Sequence, residues 1–161
     1  MIVRRADPVR DADQVWAILE PMLRAGETYA MPRDWSREDA LAYWLGTDKH
    51  AFVAEDQGEV LGVYYLRTNQ MGGGAHVCNC GYVTSPVAQG RGVARAMAEH
   101  SFTTARALGY RAMQYNFVVA TNDRAVALWQ RYGFETVGRL PGAFDHPRLG
   151  YVDALVMFKS L

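Results

Sequence analysis

The sequence predicts a single α/β domain built on one central mixed sheet, with about seven strands and four helices. The chain has 161 residues, the usual size of one domain. Half of those residues are apolar, enough to fill a core. Segments of period-two patterning alternate with segments of helical spacing in the order strand, two helices, three strands, helix, strand, helix, two strands.

Residues 2–5 open the first strand. In DADQVWAILEPMLRAG, Val15, Ile18, Leu19, Met22 and Leu23 recur at three- and four-residue spacing, an amphipathic helix that Gly26 can stop. After the loop GETYAMPRDW, Ser36 with Asp39 three residues on forms a variant capping box for a second helix reaching about Gly46. HAFVAEDQGEVLGVYYLRTN reads as two strands joined by Asp56, Gln57 and Gly58 in a hairpin. Beyond the connector QMGGGA, alternation from about Ala75 to Thr84 gives another strand, ended by Pro86. From Gly92, the positions Val93, Ala96, Met97, His100, Ala107 and Leu108 share a helical face that Gly109 closes, and YRAMQYNFVV is a strand. Thr121 or Asn122 caps the last helix, where Ala125, Val126, Leu128, Trp129 and Tyr132 form an apolar stripe before Gly133. FETVGRL and YVDALVMFKSL are the closing strands, with the turn-rich PGAFDHPRLG between them.

Charge excludes several function classes. Lys plus Arg and Asp plus Glu are 17 each, so no net field attracts nucleic acid or an anionic membrane. No long apolar run exists, and MIVRRADPVRD carries charges where a signal peptide needs its apolar stretch, so a cytoplasmic protein with neither nucleic-acid nor membrane partner is expected. His76, Cys78 and Cys80 form a period-two row on one strand face. Neighbours in such a row stand about 7 Å apart, whereas zinc needs ligands closing tetrahedrally at about 2.0 to 2.3 Å. No metal is expected, and the two cysteines read as small core residues without a disulfide. On the opposite face, Asn79 sits among Val77, Gly81 and Val83, and Asn116 is flanked by Tyr115 and Phe117. A buried amide left unpaired costs about 1 to 3 kcal/mol, so each asparagine either satisfies backbone groups or meets a ligand.

The turn SPVAQGRGVARAM, from strand to helix, carries Gly90 and Gly92 around Arg91. Glycines let the backbone curl its N–H groups inward, and a helix N-terminus adds about half a positive charge at the same spot. A nucleotide P-loop is excluded because the chain has no Gly-Lys pair, and a dinucleotide fingerprint fails because Arg95 stands where its third glycine belongs. What fits is Q/R-x-x-G-x-G/A, met by Gln89, Gly90, Arg91, Gly92, Val93 and Ala94.

This turn resembles the acyl-CoA pyrophosphate loop of the GNAT superfamily of N-acetyltransferases. NDRAVALWQRYGFETVGRLPGAF is similar to that superfamily's second signature, an asparagine before an Ala-rich helix and a Gly-Phe pair. The resemblance implies one N-acetyltransferase domain over residues 1–161, a mostly antiparallel sheet and acetyl-CoA as cosubstrate. It also implies that the strand before the loop splays from its neighbour, so that Tyr82, Val83 and Thr84 pair with the pantetheine arm. A backbone N–H near Tyr82 would then serve the acyl oxyanion, and Asn122 would stand near the sulfur, a role compatible with capping. Many members place a tyrosine after the leucine of the second signature as general acid. Here Trp129 follows Leu128, and an indole has no acidic proton to give. Tyr132 either replaces it or simply completes the apolar stripe.

HVCNCGYV, YNFVVATN, LPGAF, YVDALVM and GETYAMP look like the subgroup that acetylates azetidine-2-carboxylate and related proline analogues. That likeness implies that Asn79 and Asn116 contact a small amino or imino acid, with Tyr82 lining the pocket. Glu27 and Tyr29 would cover the acceptor side beside Tyr115, with Glu27 either an acceptor of the amine proton or a solvated carboxylate. Asp145, His146 and Arg148 would stand near the entrance, where Arg148 either pairs with a substrate carboxylate or is exposed. The expected reaction is direct attack of a small-molecule amine on acetyl-CoA in a ternary complex. Two alternatives stay open: a protein or peptide N-acetyltransferase, and a non-catalytic CoA-binding domain. The closing strands also offer a surface for a homodimer.

Overall fold

In the computed structural model, which describes residues 1–161, the chain runs β1 (Ile2–Arg5), α1 (Ala12–Ala25), α2 (Arg37–Trp44), β2 (His50–Asp56), β3 (Glu59–Thr68), β4 (Val77–Thr84), α3 (Val93–Ala107), β5 (Ala112–Val119), α4 (Asp123–Arg131), β6 (Glu135–His146) and β7 (Gly150–Ser160). The expected order of elements holds throughout, and local chemistry sets the boundaries. Gly26 ends α1 at φ 64°, its N–H donating to Met22 O. The Ser36 hydroxyl accepts from the Asp39 N–H at 3.1 Å and starts α2. Gln57 and Gly58, with φ of 52° and 86°, make the tight β2–β3 turn whose twist matches the flanking strands.

One stretch departs from expectation. Residues 141–146, read as turn, continue β6 as far as His146. Pro141 cannot donate to a ladder, but β6 is an edge strand and its register slips between Leu140 and Phe144. Asp153 on β7 holds the irregularity, accepting from the Gly142 N–H at 2.9 Å and from Arg139 at 2.8 Å.

The seven strands form one sheet in the order β1-β2-β3-β4-β5-β7-β6. Every neighbouring pair is antiparallel except β4 and β5. Two cores flank the sheet. Val15, Leu19, Leu23 and Trp44 of α1 and α2 pack on Val53, Val63 and Tyr65 of one face. Met97 and Phe102 of α3 and Trp129 of α4 pack on Tyr64, Met113, Tyr115 and Met157 of the other. Cys78 and Cys80 are buried in this second core, where the Cys78 thiol donates to Ala112 O. No helix is long and apolar enough to cross a membrane.

The β1–α1 corner rests on a buried ion pair. Asp11 accepts from Arg4 Nη1 and Nη2 at 2.7 and 2.8 Å and from the Asp7 N–H at 2.8 Å, while Arg4 Nε reaches Glu55 at 2.6 Å. The Arg4 guanidinium holds the Asp11 carboxyl below the usual carboxylate range. Its contribution is therefore complete above the unfolded-state value of about 4 and is lost as pH falls below it. Asp11→Ala leaves Arg4 with Glu55 alone and the Asp7 N–H without its acceptor, and should cost about 2 to 3 kcal/mol in urea denaturation at neutral pH, with a smaller penalty in acid.

Candidate functional site

β4 and β5 pair in register only at Val77–Ala112 and Cys78–Met113, then diverge. The gap opens into a cleft of about 1670 Å³ walled by β4, β5, α4, the start of α3 and the loop between α1 and α2. One drug-sized ligand needs about 300 to 1000 Å³, so the cleft has room for two ligands end to end.

One limb ends at the glycine turn before α3. Gly90 and Gly92 adopt φ of 79° and 78°, and a Cβ on either would meet no atom within 4 Å. The backbone thus takes a left-handed path closed to most residues and leaves open space in front of it. Gly92 also begins α3 without a side-chain cap, so the first-turn N–H groups remain available to an anion. Arg95, Arg124 and Arg131 line this limb, and Arg124 Nη1 donates to Gln89 Oε1 at 3.2 Å. Gln89, Val93 and Ala94 line it as expected. The Arg91 side chain does not: it turns away to Asp56 at 3.0 Å, which also binds the N-terminal amine. The loop, the helix terminus and the three arginines fit a pyrophosphate-bearing ligand.

Midway along the cleft, the Tyr29 hydroxyl accepts from the Tyr82 N–H at 2.7 Å and donates to Tyr82 O at 2.9 Å. It thereby occupies both backbone groups of Tyr82 on the splayed strand, and burial raises the Tyr29 phenol above its ordinary value. Val83 and Thr84 continue this wall, although the Val83 side chain packs in the α1–α2 core. The Tyr82 side chain points the opposite way. Ser101 donates to Ala98 O at 2.7 Å, so Tyr82 donates to Ser101 at 2.7 Å and Tyr115 to Tyr82 at 3.1 Å. Both phenols are held in the α3-side core with their protons already used, and burial pushes both far above the usual range. Both rings still line the cleft.

Asn122 lines the cleft and caps α4, its Oδ1 accepting from the Ala125 N–H at 3.3 Å. Trp129 also lines it, packed on Tyr115 and Tyr82 at centroid distances of 4.7 and 5.0 Å. Tyr132 is elsewhere. Its ring packs edge-on against Phe102 at 5.2 Å and its hydroxyl donates to Glu99 at 3.0 Å, outside the cleft lining. The three-residue spacing that suggested Tyr132 as an acid instead assigns it to packing. Tyr132→Phe should leave kcat for thiol release from acetyl-CoA within about twofold of the unsubstituted protein.

The other limb opens on the α1–α2 face, among Met31, Trp35, Tyr43 and Tyr65. Gly81 is required there. A Cβ at this position would lie 2.7 Å from the Tyr65 ring, which crosses it toward the cleft. Asn79 stands where the strands part. Its Nδ2 donates to Gln114 O at 2.9 Å, extending the broken β4–β5 ladder by one side-chain link, and its Oδ1 accepts from Arg67 Nε at 3.3 Å. Asn116 donates to Asn69 Oδ1 at 2.7 Å and accepts from Gln114 Nε2 at 2.9 Å. Both asparagines line the cleft, and each amide already holds protein partners that fix its orientation there. Glu27 lines the mouth and binds Arg148 at 3.0 Å, so these two expected ligands meet each other. His146 is buried beneath them, its Nδ1 accepting from the Arg148 and Leu149 N–H groups in the β6–β7 turn.

Arg67, Arg124 and Trp35 escaped the reading of the sequence. For Arg67 a signal existed: alternation on β3 from the buried Tyr65 puts it on the face that Asn79 occupies on β4, and the two are cross-strand partners.

The chain is 38% identical to a GCN5-related N-acetyltransferase from Kribbella flavida, with a TM-score of 0.94 over 99% of this chain and 97% of that one. A phosphinothricin acetyltransferase from Sinorhizobium meliloti, solved in complex with AcCoA, shares the fold at a TM-score of 0.85 and 21% identity, over 99% of this chain and 88% of that one. The N-acetyltransferase aca1 of Schizosaccharomyces pombe is 34% identical over 101 residues, which are 60% of this chain and 47% of the relative. The match thus spans about half the length of that curated relative. The Acetyltransferase (GNAT) family model matches residues 12–134. With most of its length inside that match and its β4–β5 cleft intact, the chain belongs to the GNAT family of N-acetyltransferases.

Proposed function

We propose that the protein transfers an acetyl group from acetyl-CoA to the amine of a small amino or imino acid, by direct attack with both ligands bound. One observation carries this reading: a single cleft joins a glycine loop with an open helix N-terminus to a chamber of aromatic and amide side chains. Acetyl-CoA supplies the acetyl group as an activated thioester. A C–N bond forms, the C–S bond breaks, sulfur leaves as the thiol and the amine loses a proton.

The chain's own groups divide the work. The 90–92 turn and Arg124 would hold the pyrophosphate. The Tyr82 N–H, whose partner here is the Tyr29 hydroxyl, would serve as the donor to the acyl oxygen and stabilise the charge that grows on it. Trp129 replaces the usual acidic tyrosine, so thiolate departure draws its proton from solvent. The Glu27–Arg148 bridge narrows the mouth, which favours a small acceptor over an extended peptide. Thiol release with acetyl-CoA, read against amino acids, imino acids and a peptide with a free N-terminus, tests the proposal. Turnover with the small acids and none with the peptide is expected. Turnover with the peptide alone overturns the small-acceptor reading, and tight acetyl-CoA binding without any turnover makes the protein a binding domain.

A further inference from the structure

We infer that Arg67 binds the carboxylate of the acceptor, so that the substrate class is an amino or imino acid and not a bare amine. The inference rests on the acetyl-transfer reading above and adds to it the group that selects the acceptor.

Arg67 lies near the end of β3, half-buried, in the lining of the acceptor limb. Unlike Arg4, Arg91, Arg95, Arg139 and Arg148, it belongs to no ion pair. Its one side-chain hydrogen bond runs from Nε to Asn79 Oδ1 at 3.3 Å, which leaves Nη1 and Nη2 without an acceptor in the chain. A cation taken partly out of water without an anion costs free energy, and a guanidinium presents its donors in a fork that matches a carboxylate.

The surroundings fix that fork. The guanidinium carbon lies 5.8 Å from the centre of the Tyr65 ring, which has its place only because Gly81 has no side chain. Asn79 is itself tied to Gln114 O, so Nε is held by a residue that cannot swing. The neighbouring cation, Lys49, is neutralised by Asp48 and sits over Tyr43 at 4.2 Å. Glu27, the carboxylate at the mouth, is engaged by Arg148. Arg67 is therefore the cation of this limb left for a ligand.

The test is steady-state thiol release with L-proline, L-azetidine-2-carboxylate, L-methionine and L-phenylalanine, each against its own carboxamide, using the unsubstituted protein, Arg67→Gln and Arg67→Lys. The unsubstituted protein should prefer the acid over the carboxamide by about 30-fold or more in kcat/KM. Arg67→Gln should lower kcat/KM for the acid about 100-fold, leave the carboxamide and the KM for acetyl-CoA within about threefold, and be partly rescued by Arg67→Lys. Equal turnover of acids and carboxamides by the unsubstituted protein, or equal losses for both in Arg67→Gln, would overturn the inference while leaving acetyl transfer standing. No thiol release with any amine removes the acetyl-transfer reading itself, and the inference with it.

Discussion

Gly92→Val raises the KM for acetyl-CoA about 100-fold while leaving the folded domain in place. Gly92 holds φ at 78°, where a β-branched residue is strained by about 1 to 3 kcal/mol. The added side chain meets no protein atom within 4 Å of its Cβ, so the core is untouched. That open space is what a pyrophosphate needs, and the same glycine orients the first N–H groups of α3. The obstruction therefore falls on the ligand, and the strain on the local backbone. Calorimetric titration with acetyl-CoA and the KM for acetyl-CoA should weaken together, while the strain lowers the thermal unfolding temperature by several degrees without unfolding the domain at about 25 °C. Gly92→Ala, which adds the strain with little obstruction, should show about a tenth of the loss. Equal acetyl-CoA affinity in all three proteins would place the cosubstrate elsewhere.

The second large effect belongs to Asn79→Ala. This substitution leaves Gln114 O without its donor at the point where β4 and β5 part, and leaves Arg67 Nε without its acceptor. An orphaned buried acceptor costs about 1 to 3 kcal/mol, so a measurable loss of stability is expected. The larger effect is positional. With Arg67 free to move, kcat/KM for the acceptor should fall about 100-fold, while acetyl-CoA affinity stays within about threefold. A split of this kind separates the two limbs of the cleft. Weaker acetyl-CoA binding with an unchanged acceptor response would show that Asn79 serves the cosubstrate.

The order of elements was readable because each segment carries its own period and its own stop signal, such as Gly26 after α1 and Ser36 before α2. The continuation of β6 through Pro141 and Gly142 was not readable. Those residues have turn chemistry, and what keeps them in the sheet is Asp153 on another strand. The left-handed path of the glycine turn was legible because backbone conformation follows directly from the residue type. Side-chain direction does not: Arg91 lies within the motif yet turns to Asp56, while Arg124, from a distant helix, comes to Gln89. Tyr132 shows the same limit, since helical spacing names a face but not whether that face meets a cleft or a core. The role of Tyr29 was out of reach for a related reason, as a loop hydroxyl over the Tyr82 backbone joins residues 53 apart in the chain.

The most direct test follows the acetyl group itself. With [13C]acetyl-CoA, the protein and L-proline or L-methionine, carbon NMR should show the labelled carbonyl moving from thioester to amide, in an amount equal to the thiol released. Label appearing only as free acetate, or remaining on the thioester with every small amino or imino acid tried, would contradict the account.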